Sequence, residues 1–159
     1  MKSKDTHEPA AVIGWREWIA LPEIGVPGVK AKIDTGARTS ALHTHDYQLF
    51  ERDGAQWVRF HIHPLRRTSQ IELTCEAEVS DMRQVKDSGG HVELRPFIKT
   101  AVSIGGIEFI AEISLTNREQ MKFRMLLGRT ALRHTFLVNP AGDFLLSANL
   151  SKKYDIPRS

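Results

Sequence analysis

A chain of 159 residues has room for one domain with a fair core and not for two full ones. With 41% hydrophobic and 26% charged residues it has the composition of a globular protein, and no apolar run is long enough to span a bilayer as a helix. The formal net charge of +3 is mildly basic and serves solubility first. As a functional signal it favours an acidic partner. Nucleic acid lacks support, because there is no binding motif and no basic stretch interleaved with aromatics, which leaves an acidic polypeptide.

Residues 1–10 are polar and charged without an apolar segment, so they read as a frayed tail and not as a secretory signal. The single cysteine, Cys75, rules out an internal disulfide and suits a reducing cytosol, so the expected location is cytoplasmic. Cys75 alternates with Leu73 and Ala77 in a strand-like run, which makes it a small buried hydrophobe.

In chain order, residues 12–21 (VIGWREWIAL) read as one apolar strand with Pro22 behind it as a breaker. Residues 24–28 (IGVPG) are turn-rich, and residues 29–33 form a strand that ends at Asp34. In residues 43–51, Tyr47, Leu49 and His45 share one face if the segment is extended, and Arg52-Asp53-Gly54 signals a hairpin. Residues 56–63 (QWVRFHIH) alternate well and end at Pro64. Residues 65–70 are a polar connection, residues 71–79 a strand, and residues 81–86 ambiguous. Residues 92–104 and 107–116 are two strands around Gly105-Gly106, the clearest hairpin in the chain. A strand over 121–127 ends at Gly128, residues 129–134 suit a short helix, and 136–139 and 143–146 are short strands. About ten short strands, one short helix and no βαβ alternation or repeat give an all-β class. The expected architecture is a closed or nearly closed barrel over residues 12–147, with residues 1–11 and 148–159 as tails.

The run K-A-K-I-D-T-G-A-R-T-S-A-L, residues 30–42, sets a carboxylate at the end of a strand, and Thr35 and Gly36 let the chain turn tightly behind it. A D-T-G tripeptide alone is a weak signal. It gains weight from Ala37 and Leu42 after it, and from Leu126-Leu127-Gly128-Arg129 about ninety residues on, before a short helix. The combination resembles the retropepsin-like aspartic peptidases over nearly the whole domain. The longer string K-I-D-T-G-A-R-T-S-A-L-H, with L-L-G-R and the later N-P-A-G-D-F-L-L, resembles a bacterial RimB-like branch. Its members are often labelled "ATP-dependent zinc protease" and are associated with a RimK-type ATP-grasp ligase that adds glutamates to a ribosomal protein. The resemblance implies a retropepsin-like acid-protease barrel, no cofactor, and a peptidase that trims or limits glutamate tails. It also implies that Leu126, Leu127 and Gly128 lie beneath the Asp34 loop as its support.

That label does not match the residues. There is no H-E-x-x-H pair for zinc and no G-x-x-x-x-G-K-[ST] loop for ATP. Two H-x-H pairs, His43/His45 and His61/His63, would each face one side of a strand, but a structural or surface role is favoured over a metal site. A metallopeptidase using them is the third hypothesis.

Hydrolysis without metal or covalent nucleophile needs an activated water and an acid for the leaving amine, and two close carboxylates sharing one proton supply both. Asp87-Ser88-Gly89 is a second D-[ST]-G, but it lies in a polar turn with no second apolar-apolar-Gly strand, so a two-lobed chain is disfavoured. Ser88, Gly89 and Gly90 instead form a hairpin tip, placed where the family carries its flap. The second carboxylate is therefore Asp34 of another copy, across a twofold axis, with Thr35 bracing the loop and Gly36 leaving room for backbone approach.

Viral relatives usually carry an acid two residues after the motif glycine, paired with the arginine after apolar-apolar-Gly. Here that position is Arg38, while Arg129 is retained. Arg38 and Arg129, with Ala37 beside them and Arg66 and Arg67 if their loop lies near, favour a carboxylate-rich substrate. The competing reading is that Arg38 pairs with an internal acid. The expected function is a homodimeric aspartic peptidase acting on acidic, poly-α-glutamate tails, with the ligase and its ribosomal target as further partners. The alternative is a non-catalytic module of the same fold that binds and regulates that ligase. Direct nucleic-acid or membrane binding is not expected.

Overall fold

The computed structural model describes residues 11–65, 68–87, 89–117 and 122–154. Among the described residues twelve strands form where about ten were expected: the run 12–21 splits in two, residues 40–43 and the ambiguous 81–86 are strands as well, and 143–146 are not. The run 12–21 splits into β1 (Ala11–Ile13) and β2 (Arg16–Leu21). Gly14 and Trp15 between them pair elsewhere. The Gly14 N–H donates to Glu17 at 2.7 Å, the Trp15 N–H donates to the Gly142 carbonyl at 2.8 Å, and the Trp15 carbonyl accepts from Ile33 at 2.8 Å. Leu21 precedes a short 3-10 turn, Pro22–Ile24, and β3 (Val26–Asp34) returns antiparallel to β2. The expected extended run 43–51 is β5 (Asp46–Arg52), and β4 (Ser40–His43) is a strand for which there was no separate expectation.

β5, β6 (Ala55–Ile62) and β7 (Leu73–Glu78) form an antiparallel three-stranded sheet. The β5–β6 turn is Asp53-Gly54, both at positive φ, as a two-residue hairpin requires. The ambiguous segment is β8 (Asp81–Lys86), paired with the long β9 (Val92–Ile104). β9 turns through Gly105-Gly106 into β10 (Ile107–Thr116). β11 (Met125–Gly128) leads directly into α1 (Arg129–Leu132), and β12 (Phe136–Val138) pairs in parallel with β1.

Six strands close a mixed barrel in the order β10-β4-β11-β3-β2-β9, with β9 pairing back to β10 and β8 added outside β9. The pairs β10/β4 and β11/β3 are parallel, and the remaining barrel pairs are antiparallel. Closure removes the exposed sheet edges that short strands would otherwise present. Inward residues of every barrel strand, among them Ile19, Val29, Leu42, Val102, Ile113 and Leu127, are fully buried. Each such side chain contributes about 1.5–3 kcal/mol by leaving water. Cys75 is buried among them, as its alternation predicts.

Residues 143–146 do not form the expected strand, because the Glu17 carboxylate takes their hydrogen bonds. It accepts from Leu145 N–H at 2.8 Å, from Ser147 N–H at 3.0 Å and from the Ser147 hydroxyl at 2.6 Å. Glu17 is wholly buried, and a buried carboxylate is tolerable only when so many donors surround it. Beyond it, residues 148–154 lie against β3. The Tyr154 hydroxyl donates to the Gly28 carbonyl and accepts from the Gly28 N–H at 3.1 Å, while a Cβ at Gly28 would meet Leu150 at 2.4 Å.

Candidate active site

β3 alternates as its sequence dictates. Val29, Ala31 and Ile33 point into the barrel, while Lys30, Lys32 and Asp34 share the outward face. Asp34, half-buried at the strand end, is followed by an exposed turn through Thr35 and Gly36. The Gly36 N–H donates to Asp34 Oδ1 at 3.0 Å, and the Ala37 N–H to the Asp34 carbonyl at 3.2 Å. The first of these bonds holds one carboxylate oxygen and the second fixes the turn behind it.

The L-L-G segment runs alongside the Asp34 loop. Leu127 registers with Ile33 and Gly128 with Asp34 in the parallel β11/β3 pair, while Leu126 registers with Ala41 on the other side. β11 thus runs between the strand entering the Asp34 loop and the strand leaving it. A Cβ on Gly128 would lie 2.5 Å from the Thr39 carbonyl oxygen and 2.8 Å from that of Ala37, so only glycine lets the loop cross there. The Gly128 N–H donates to Ser40 Oγ at 3.0 Å.

α1 ties down the rest of the loop. The Arg129 N–H donates to the Ala37 carbonyl at 2.8 Å, the Thr130 hydroxyl to the Arg38 carbonyl at 2.7 Å, and the Arg129 guanidinium to the Gly36 carbonyl at 3.2 Å. Arg129 therefore acts as a loop brace as well as a surface cation. The Arg38 side chain is exposed, and among the described residues no ion pair holds it.

Gly89 and Gly90 lie at the tip of the β8/β9 hairpin. Asp87 Oδ1 accepts from the N–H groups of Gly89 and His91, both at 2.9 Å, and Gly90 sits at φ +87°. Asp87 thus closes the tip of the β8/β9 hairpin with its own carboxylate. Arg66, Arg67 and Ser88 lie outside the described residues.

His61 and His63 share the face opposite the buried Phe60 and Ile62, as expected, whereas His43 and His45 do not share one. β4 ends at His43, which is buried, while His45 is exposed and lies beside His63, with ring centroids 5.2 Å apart. His61 contacts Asp46 at 2.5 Å and His63 contacts Glu72 at 3.3 Å. Among the described residues no group of three or more His, Cys, Asp or Glu side chains is arranged to hold a metal ion.

The outward face of β3 ahead of Asp34 carries a feature that the motif reading missed. A groove of about 860 Å³ is lined by Arg16, Lys30, Lys32, Lys122 and Arg124, with aromatic walls from Trp15, Trp18 and Phe123. No carboxylate lines it among the described residues. Registers explain the clustering. Arg16 faces Lys32 and Trp18 faces Lys30 across β2/β3, and Leu126 faces Lys32 across β11/β3. Alternation in K-A-K-I-D already put Lys30 and Lys32 on the Asp34 face. That period-two signal was available in the sequence, but the convergence of Arg16 and Arg124 on them was not.

A six-stranded barrel with D-T-G at the end of one strand and L-L-G laced beneath it defines a retropepsin-like aspartic peptidase domain. The chain belongs to the RimB-like family, described as retropepsin-like aspartic endopeptidase RimB, whose model matches residues 12–148. Relatives named "Probable alpha-L-glutamate ligase" are 44% identical over 135 residues in Shewanella halifaxensis and 42% identical over 130 residues in Desulfotalea psychrophila. These matches cover 85% and 82% of this chain, which spans only 30% and 28% of those longer relatives. A crystal structure of the Legionella pneumophila protein Lpg0085, titled as of unknown function, is also similar. Its TM-score is 0.71 and its identity 27%, over 86% of this chain and 98% of that one.

Proposed function

We propose that two copies of this chain form an aspartic endopeptidase that cleaves acidic polypeptide tails, poly-α-glutamate in particular. The observation that carries the substrate class is the outward row Lys30, Lys32, Asp34, flanked by Arg16 and Arg124 in a groove that no carboxylate lines among the described residues. Lys30 and Lys32 stand two residues apart on one face, and like charges so close repel one another, a repulsion that an anionic ligand relieves. The longer relatives named as glutamate ligases support the same assignment, since a domain carried with such a ligase meets glutamate products.

One Asp34 is half of a hydrolytic site. The exposed Thr35-Gly36 turn allows a second copy to approach about a twofold axis, bringing the two carboxylates together. They share one proton. The ionised carboxylate, held by the Gly36 N–H, takes a proton from water as that oxygen attacks the peptide carbonyl. The protonated carboxyl donates to the carbonyl oxygen, giving a gem-diol. Return of a proton to the departing nitrogen then breaks the C–N bond and releases an amine and a carboxylic acid.

Incubation of the purified full chain with poly-α-glutamate and with a neutral peptide tests this reading, with Asp34→Asn as control. The expected outcome is cleavage of the acidic polymer and loss of it in Asp34→Asn. Cleavage that persists in Asp34→Asn overturns the catalytic assignment. A second reading, a non-catalytic module that regulates a glutamate ligase, is favoured by the same long relatives. It predicts that the purified chain cleaves nothing while altering ligase product length.

A further inference from the structure

We infer that the basic groove is an extended binding site for acidic residues remote from the cleaved bond, and that it sets a minimum tail length for cleavage; this rests on the reading above. Along β3 the outward side chains recur every second residue, so Lys32 stands about 7 Å and Lys30 roughly 13 Å from Asp34 along the strand. Arg16 lies at the level of Lys32. Arg124 immediately precedes Met125, which registers with Ala31, and so lies at the level of Lys30. Positive charge is therefore arranged in two levels leading away from the carboxylate, with Lys122 at the groove wall.

An extended polypeptide has the same repeat. Alternate side chains of a polyglutamate strand are also about 7 Å apart, so successive same-side carboxylates meet successive cation levels. The near level is preorganised. Arg16 donates through Nε to Asp143 at 2.9 Å, and its guanidinium lies 4.6 Å from the Trp15 ring centroid and 4.9 Å from that of Phe144. Asp143 offsets part of that charge, so the positive charge that faces the groove is carried chiefly by Lys30 and Lys32, with Lys122 at its wall. The far level is backed by Trp18, with Lys30 Nζ 5.7 Å from its ring centroid.

The groove is walled, not flat. Asn149 and Ser151 form one side, on a segment pinned to β3 by Tyr154. Its volume is in the range of about 300–1,000 Å³ that encloses a whole drug-sized ligand, and exceeds the needs of one glutamate side chain. A reach of roughly 13 Å corresponds to about four extended residues. Tails that supply fewer acidic residues on that side leave the far level empty.

The test is a length series of oligo-α-glutamates, from dimer to decamer, with kcat and KM measured for the full chain. The expected result is a kcat/KM that rises by about tenfold or more as about four acidic residues become available beside the scissile bond, then levels off. Lys30→Gln and Arg124→Gln flatten that dependence through KM, and Lys30→Arg restores it. Cleavage independent of length, or a length dependence unchanged in both variants, overturns the inference. A binding arm separates this from the peptidase reading. Asp34→Asn should bind decaglutamate with an affinity that falls as salt rises and about tenfold more weakly with Lys30→Gln added. If wild-type protein cleaves no oligoglutamate, the peptidase reading fails while this arm still decides the groove. Absence of decaglutamate binding overturns the groove assignment, as does stronger binding of an oligoribonucleotide of equal charge.

Discussion

Gly128 lies in parallel register beside Asp34, and its missing side chain is the space through which the Asp34 loop passes. A methyl group there would meet backbone atoms of Thr39 and Ala37, which cannot rotate away as a side chain would. Gly128→Ala is therefore expected to destabilise the fold by about 1–3 kcal/mol and to abolish peptidase activity, since the carboxylate shifts with its loop. Thermal melting together with an activity assay checks this. A fully active, equally stable Gly128→Ala protein would show that the loop is not held in this way.

Glu17, one strand over on β2 and in register with Ala31, gives the C-terminal segment a comparable support. Replacing it by alanine leaves the N–H groups of Gly14, Leu145 and Ser147 without their acceptor. Each buried orphan costs about 1–3 kcal/mol, so a loss of about 3 kcal/mol or more is expected in Glu17→Ala. Denaturant unfolding measures it. Protease accessibility of residues 142–147 should rise in parallel.

Tyr154 should make the protein sensitive to alkali. Burial pushes its phenol up to about 12, against an opposing hydrogen bond at Gly28. A raised folded pKa means that the stabilisation is intact below the unfolded value near 10 and is lost as pH rises from there through about 12. Stability measured across that window should fall less steeply in Tyr154→Phe than in the wild-type chain.

Cys75 should behave as an inert core residue. Burial pushes its thiol up to about 11, so almost no thiolate exists at neutral or mildly alkaline pH. Labelling with iodoacetamide at pH 8 should be negligible for the folded protein and rapid in denaturant. Fast labelling of the native chain would contradict its place in the core.

Much of the fold was legible because its cues are local. Asp53-Gly54 and Gly105-Gly106 marked hairpins through their tolerance of positive φ, and residues 92–104 and 107–116 match β9 and β10 at both ends. D-T-G and L-L-G marked the loop and its support, because a tight turn and a close backbone crossing each restrict residue type at a fixed position. The breaks at Gly14-Trp15 and over residues 143–146 were not legible. Both depend on hydrogen bonds between segments about 130 residues apart, such as Leu145 to Glu17, and no local propensity encodes such a partner.

The sequence by itself determined that a carboxylate sits at a strand end, that two lysines share its face by alternation, and that the chain is all-β. Only the tertiary structure decided what surrounds that carboxylate. It set Gly128 against Asp34, laid Arg129 across the surface to brace the Gly36 carbonyl, and gathered Arg16, Lys30, Lys32 and Arg124 into one groove. The reason is register. Which residues meet across β2, β3 and β11 follows from closure of the barrel, a property of all six strands together and not of any stretch of the chain.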